Sequence, residues 1–108
     1  MDSALESADQ PAGSVVVARE NGRTVILLAG EVDAGLAAEL HRAADTAVAL
    51  GLPVLVHCGS LQFIDSTGLS FLARLTTAAT TPPVVYEPPQ MLTLMLRTTG
   101  MLPLFDVR

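Results

Sequence analysis

The sequence alternates between short apolar runs of the strand type and longer runs with helical periodicity, and this alternation strongly limits the fold. Asn21-Gly22 separates the first two apolar runs, and an Asn-Gly pair in that position is a strong hairpin signal. Helical and strand-like segments then follow one another, which gives the order β-β-α-β-α-β-α-β. Because parallel strands need long crossover connections, this order predicts an α/β fold, a single domain with a mixed four- to five-stranded sheet and about three helices packed on it.

Capping and breaking residues set the predicted boundaries of these elements. Asp33 is a good N-cap for the first helix, and Gly51 and Gly100 are expected to end the first and third helices. The second strand is apolar almost throughout, which predicts burial on both of its faces. A polar connection is expected at residues 59–62. The predicted strands cover residues 15–17, 24–29, 54–58, 84–87 and 104–107, and the predicted helices cover residues 34–50, 67–79 and 90–99.

Composition and charge indicate one intracellular domain. The chain has 108 residues, of which 50% are apolar, and this is enough for one compact core. Residues 1–13 are polar and acidic and are predicted to form a flexible N-terminal tail, so that the domain covers residues 14–108. The net charge of −5 disfavours nucleic acid and anionic membranes as partners. The sequence shows neither a secretory signal nor an apolar run of roughly 20 residues, so we expect a soluble cytoplasmic protein.

The segment at residues 63–72 is the strongest candidate for a functional site. It has the pattern of an apolar pair at a strand end, a short polar turn and the start of a helix. Asp65, Ser66 and Thr67 can each cap that helix, and Gly68 would let the turn approach another surface closely. The helix N-terminus offers backbone donors and partial positive charge to a phosphate. We therefore interpret Ser66 as a phosphorylation switch at a binding surface. Alternatively, Ser66 is only an N-cap, or Thr67 is the acceptor.

Two motifs in these positions resemble those of a known family. The sequences Gly-Glu-Val-Asp at residues 30–33 and Phe-Ile-Asp-Ser-Thr-Gly-Leu at residues 63–69 each follow an apolar strand. Over residues 14–107 the chain resembles the STAS domain of bacterial anti-anti-sigma factors, also called anti-sigma factor antagonists. The resemblance implies a STAS-like fold in which Asp33 and Asp65 match acidic positions beside a phosphorylated serine.

The resemblance also implies a mechanism and a set of partners. In that family an anti-sigma factor with serine kinase activity phosphorylates the serine that corresponds to Ser66. The unphosphorylated domain binds the anti-sigma factor and so releases the sigma factor. The phosphorylated domain dissociates, and a PP2C-type phosphatase resets it; no cofactor of the domain itself is implied. The residues expected to contact the partner are Glu31, Asp33, Asp65, Ser66, Thr67, Gly68 and Leu69.

Other classes of function fit the sequence less well. The main alternative is a STAS scaffold or sensor module whose Ser66 is never phosphorylated and which assembles into a larger complex or a dimer. The single cysteine, Cys58, excludes an internal disulfide, and neither His41 nor His57 has further metal ligands at suitable spacing. Ser66 lacks the Gly-x-Ser-x-Gly elbow of hydrolases, and no glycine-rich phosphate loop is present. We therefore predict that the protein is not an enzyme, with an esterase-like hydrolase as a remote possibility.

Overall fold

A five-stranded mixed sheet forms the centre of the fold in the computed structural model, which describes residues 12–108. The strands lie side by side in sequence order. They are β1 (Gly13–Glu20), β2 (Arg23–Val32), β3 (Val54–Ile64), β4 (Val84–Tyr86) and β5 (Asp106–Val107). The helices are α1 (Ala37–Leu50), α2 (Ser66–Leu75) and α3 (Gln90–Thr98), with 3₁₀ turns at Ala34–Leu36 and Leu102–Leu104. The predicted α/β class and element order are confirmed. The predicted tail at residues 1–13 lies almost wholly outside the described residues, and Gly13 is the first residue of β1.

All three helices lie on one face of the sheet. β1 and β2 are antiparallel, whereas each later strand pairs in parallel with the strand before it. Because parallel crossovers are right-handed and each one steps in the same direction, every helix arrives on the same side. The buried helix side chains form one cluster with alternate strand residues, such as Ile26 and Val56. The opposite side of the sheet, which we call the open face, is covered by no helix among residues 12–108.

The one-sided packing overturns the prediction that the second strand is buried on both faces. Leu27 points to the open face and is 44% exposed, whereas its neighbours Ile26 and Leu28 belong to the core. Val25, also on the open face, is buried because it lies between Ala18 and Leu55 in the strand register. A continuous apolar run therefore does not distinguish a strand covered on both faces from one covered on a single face.

β3 is longer than predicted, and residues 59–62 are part of the strand instead of a polar connection. The pairing with β2 shifts twice, first between Leu27–His57 and Ala29–Ser60 and again just before Glu31–Phe63, so β3 carries one extra residue at each of two irregularities. The strand nevertheless continues to pair with β2 as far as Val32. The added length brings the C-terminal ends of β2 and β3 together at one edge of the sheet.

The hairpin and two glycine stops follow the sequence prediction. Asn21 and Gly22 have φ values of 53° and 77°, as a two-residue turn of type I′ requires. Gly51, with φ 64°, ends α1 and donates its N–H to Ala47 O. Gly100, with φ 76°, follows α3, and Met101 N–H donates to Leu96 O in a Schellman motif.

Two helix boundaries differ from the prediction. The segment predicted to be helical from residue 34 begins as a 3₁₀ turn and becomes α-helical at Ala37. The second helix ends at Leu75 instead of residue 79, and the backbone N–H groups of residues 76–78 donate to carbonyls three residues earlier, so the chain leaves the α-helix through a turn of the 3₁₀ type. None of the helices among residues 12–108 has the length and apolar character needed to cross a bilayer.

Candidate functional site

The two sequence motifs meet at the C-terminal edge of β2 and β3. Val32 and Ile64 are partners in the parallel register, so the turns that follow them lie next to each other. A hydrogen bond of 3.2 Å from Asp65 N–H to Val32 O joins the turns directly. Both strand ends are anchored in the core, since Val32 and Ile64 are almost completely buried. The structure therefore places the turns that contain Asp33 and Asp65 next to each other at the start of α2.

Asp65 is the N-cap of α2. Its backbone is extended, with φ −113°, and its Oδ1 accepts from Thr67 N–H at 2.8 Å and from Gly68 N–H at 3.4 Å. Its carbonyl accepts the first helical hydrogen bond, from Leu69 N–H at 3.0 Å. Among the three candidate caps only Asp65 has this role, so the interpretation of Ser66 as the N-cap is wrong.

Ser66 is the first residue of α2, and its side chain points away from the fold. The residue is exposed, and its hydroxyl forms no hydrogen bond with any other group of residues 12–108. The hydroxyl therefore has no structural role in holding the helix start together. It is accessible to a protein that docks at this edge of the sheet.

Because Asp65 caps α2, fewer backbone N–H groups are free to bind a phosphate than the sequence suggested. The sequence suggested that the backbone donors of the helix N-terminus would be free to receive a phosphate. The carboxylate of Asp65 already accepts from two of them, the N–H groups of Thr67 and Gly68. A phosphoryl group on Ser66 would thus gain from the helix dipole but would lie beside a carboxylate that occupies the nearest donors.

Gly68 is buried beneath the start of α2 and packs against Ile64, so it does not reach the surface. The residue is buried, and a Cβ added to it would lie 2.3 Å from Cγ1 and 2.6 Å from Cδ1 of Ile64. Glycine is therefore required because the helix start packs directly on the end of β3. Leu69 is half-buried and packs against the core, and Thr67 is half-buried as well. Of the sequence from residue 66 to residue 69, only Ser66 is fully exposed.

The two acidic residues of the first motif, Glu31 and Asp33, lie on different sides of the sheet edge. Asp33 is half-buried and its Oδ1 accepts from Gly35 N–H at 2.9 Å, so this carboxylate caps the 3₁₀ turn before α1. Glu31 precedes the buried Val32 and pairs in register with Phe63, so both Glu31 and Phe63 lie on the open face. The structure thus places Asp33 with Asp65 and Ser66, whereas Glu31 borders the edge from the other side of the sheet.

A groove between α1 and α2 adjoins the site and was not found from the sequence. It has a volume of about 220 Å³. Its lining residues are Ala37, Leu40, His41, Ala44, Thr67, Ser70, Phe71 and Arg74. At its far end Arg74 donates to Asp45 Oδ1 at 2.7 Å, and this hydrogen bond lowers the pKa of Asp45 below its usual value. The i,i+4 spacing of Ser70 and Arg74 marks one helix face, but the sequence does not show which helix packs beside it.

The remaining chemistry-bearing residues lie away from the site. His57 stacks edge-on against Tyr86 on the open face, with ring centroids 4.8 Å apart. Cys58 is buried in the core, and this burial raises the pKa of its thiol to about 12. Within the described part of the chain, no three His, Cys, Asp or Glu residues are placed so that they could hold a metal ion.

Comparisons with known proteins agree with one another. The family model described as "Mlab, STAS domain" matches residues 15–102. Among solved structures, an anti-sigma factor antagonist from Mycobacterium paratuberculosis superposes with a TM-score of 0.76 at 22% identity, covering 92% of this chain and 86% of that one. The anti-sigma factor antagonist SpoIIAA in its unphosphorylated form gives a TM-score of 0.69 at 17% identity, with 88% of each chain covered. The Bacillus protein SpoIIAA in its phosphorylated form gives 0.64 at 18% identity, covering 88% of this chain and 91% of that one. A search among curated proteins found no significant match.

Proposed function

Since the chain belongs to the STAS domain family, we propose that it is an anti-sigma factor antagonist that phosphorylation of Ser66 switches off. Unphosphorylated, the domain binds an anti-sigma factor with serine kinase activity and thereby releases a sigma factor. The kinase transfers the γ-phosphoryl group of ATP to Ser66 Oγ, and a PP2C-type phosphatase later removes it. In this role the protein is a cytoplasmic binding module and not an enzyme.

One observation carries the proposal. Ser66 is exposed at the first position of α2, and its hydroxyl forms no hydrogen bond within residues 12–108, while the neighbouring Asp65 alone caps the helix. Because the hydroxyl contributes nothing to the fold, its modification leaves the packing beneath it intact. Structures of SpoIIAA exist for an unphosphorylated and a phosphorylated form, and the fold of this chain is similar to both.

Charge explains how the modification would release the partner. A phosphoryl group adds roughly −1.5 to −2 charges at neutral pH. It would lie beside Asp65 and near Asp33, whose carboxylates already border the site. The combined negative charge and bulk would oppose close approach of the partner. A loss of about 3 kcal/mol of binding free energy corresponds to roughly a hundredfold weaker affinity.

The proposed contact surface follows from the exposure of the predicted residues. Ser66 and Thr67 would contact the partner directly, with Glu31, Asp33 and Asp65 forming an acidic border. Gly68 and Leu69 act indirectly, because their packing on the core holds the helix start in place. The groove between α1 and α2 continues from Thr67 and would accept an apolar side chain of the same partner.

The alternative, a scaffold or sensor STAS domain that is never phosphorylated, is favoured by a different observation. The open face carries exposed apolar side chains, including Leu27 and Phe63, and surfaces of this kind take part in assemblies. Under this alternative Ser66 is part of a contact surface but not a switch.

Phosphorylation by candidate partners tests the proposal. The protein is incubated with ATP and each candidate serine-kinase anti-sigma factor, and its intact mass is measured. We expect a gain of one phosphate that is lost in Ser66→Ala and retained in Thr67→Val and in Ser14→Ala, a matched exposed serine on β1. A phosphate that persists in Ser66→Ala would assign the modification to another residue. Assembly with the partners but no modification by any of them would favour the scaffold.

A phosphomimetic variant tests the effect of the added charge on binding. We expect Ser66→Asp to weaken anti-sigma binding by at least about tenfold and to leave the melting temperature nearly unchanged, because a carboxylate is favourable in the first turn of a helix. Ser14→Asp adds the same charge on β1 and is expected to bind normally. Unfolding of Ser66→Asp would show that Ser66 has a structural role, contrary to the geometry.

A further inference from the structure

The open face carries a straight row of apolar and aromatic side chains across four strands. Val16 pairs with Leu27, Leu27 with His57 and His57 with Tyr86 in the strand registers. Val16, Leu27 and Tyr86 are among the most exposed large apolar residues of the domain, at 54%, 44% and 38%. Tyr86 and Phe63, which lies further along β3 on the same face, are two of the four aromatic residues in the chain (three Phe and one Tyr). Aromatic side chains are enriched in protein interfaces.

The charges on β2 are arranged symmetrically about this row. Arg23 lies at one end of the strand and Glu31 at the other, and Leu27 is midway between them in sequence. All three side chains alternate onto the open face and are exposed. Neither Arg23 nor Glu31 forms an ion pair with another group of residues 12–108. β2 itself thus presents a positive end, an apolar middle and a negative end, and Glu20 of β1 lies opposite Arg23 in the register.

We propose that the open face binds a second copy of this chain, with a twofold axis lying along the row of Val16, Leu27, His57 and Tyr86. Such an axis stacks the row on itself and runs the β2 strands of the two copies in opposite directions. Arg23 of each copy then lies opposite Glu31 of the other, which gives two equivalent ion pairs. The two sheets pack in the aligned arrangement that is common for sheets joined face to face.

Self-complementarity favours a second copy over an unrelated partner. Twofold dimers are the commonest oligomers and require a surface whose two halves complement each other. A positive group four residues before Leu27 and a negative group four residues after it meet this requirement. A net charge of −5 on each chain opposes association at long range, so the two Arg23–Glu31 pairs would specify the orientation at short range. This dimer does not depend on phosphorylation of Ser66.

Two matched leucine-to-glutamate variants of the full chain test which side of the sheet forms the dimer interface. Sedimentation velocity and light scattering over micromolar to millimolar concentrations are expected to show a monomer–dimer equilibrium for the wild type. Leu27→Glu should abolish the dimer, because it brings two carboxylates together on the axis. Leu94→Glu makes the same change at an exposed leucine of α3, on the helix side, and should dimerise like the wild type. Circular dichroism and melting temperatures check that the variants fold.

Charge reversals test the orientation. We expect Arg23→Glu and Glu31→Arg each to weaken dimerisation by roughly tenfold, because each creates two like-charged pairs. The double variant Arg23→Glu/Glu31→Arg restores opposite charges and should return close to wild-type affinity. Arg97→Glu, a reversal on the exposed side of α3, is the control and should have little effect.

Three results would overturn the proposal. The first is a wild type that remains monomeric at the highest concentration. The second is a dimer that Leu94→Glu breaks and Leu27→Glu does not, because this would place the interface on the helix side. The third is a double reversal variant that dimerises no better than the single ones, which would exclude the antiparallel arrangement of the two β2 strands.

Discussion

Substitution of Gly68 by alanine sets helix propensity against packing, and the structure predicts that packing dominates. Gly68 lies in the first turn of α2 with a helical backbone, so propensity alone would favour alanine by up to about 1 kcal/mol. The new Cβ, however, would lie 2.3 Å from Cγ1 and 2.6 Å from Cδ1 of Ile64 and 3.3 Å from Cγ1 of Val32. Ile64 is 1% exposed and Val32 is fully buried, so neither side chain can move away freely.

The expected net effect is a loss of stability. Overpacking of a close-packed core typically costs about 1–3 kcal/mol, which exceeds the gain in helix propensity. We therefore expect Gly68→Ala to lower the free energy of unfolding by about 1–2 kcal/mol. With a urea m-value of about 1–3 kcal/mol/M, the midpoint of unfolding falls by roughly 0.3–2 M. Ser70→Ala, at an exposed position of the same helix, should be neutral or slightly stabilising.

A double-mutant cycle with Ile64→Ala identifies the cause. Truncation of Ile64 is destabilising by itself but removes the two atoms that clash with the new Cβ. The combined variant should therefore lose less stability than the sum of the two single variants, by about 1 kcal/mol or more. A stabilised Gly68→Ala protein, or strictly additive effects, would refute the argument that this glycine is required by close packing.

Two further predictions concern the caps and the buried thiol. Asp65→Ala should lower the free energy of unfolding by about 1–2 kcal/mol, and Asp33→Ala by less than about 1 kcal/mol. The difference is expected because Asp65 accepts from two backbone N–H groups and Asp33 from only one. Urea titrations of both variants measure which loss is larger. Burial raises the pKa of Cys58 to about 12 from an ordinary 9.0, so the native state keeps a proton that the unfolded chain releases above pH 9. Stability should thus fall as pH rises from about 9 to 12, by at most about 1.4 kcal/mol per pH unit, and a Cys58→Ala variant should lack this part of the slope. A native thiol that reacts rapidly with Ellman's reagent at pH 8 would contradict its burial.

Local signals in the sequence accounted for the element order and most of the caps. The two-residue hairpin turn requires positive φ at both positions, and Asn21 and Gly22 tolerate this conformation, so the pair specifies the hairpin. Gly51 and Gly100 end helices because they too adopt positive φ readily. The predicted end of the second helix was wrong because residues 76–78 form hydrogen bonds to carbonyls three residues earlier instead of four, and no glycine or proline marks this change in the sequence. The predicted break after Cys58 was wrong because a bulge lets β3 continue beside β2.

The sequence by itself determined the α/β class and the alternation of strands and helices, since apolar periodicity and turn residues are local signals. The placement of Asp33 and Asp65 beside Ser66 was implied only by the resemblance to a known family. Only the structure decided which of the three candidate side chains caps α2, why Gly68 must be glycine, and that Glu31 lies on the open face. The last two depend on contacts between residues distant in sequence, such as the packing of Gly68 near Val32 and the pairing of Glu31 with Phe63. The handedness of three successive crossovers then left one face of the sheet uncovered, and no local pattern in the apolar strands reveals this.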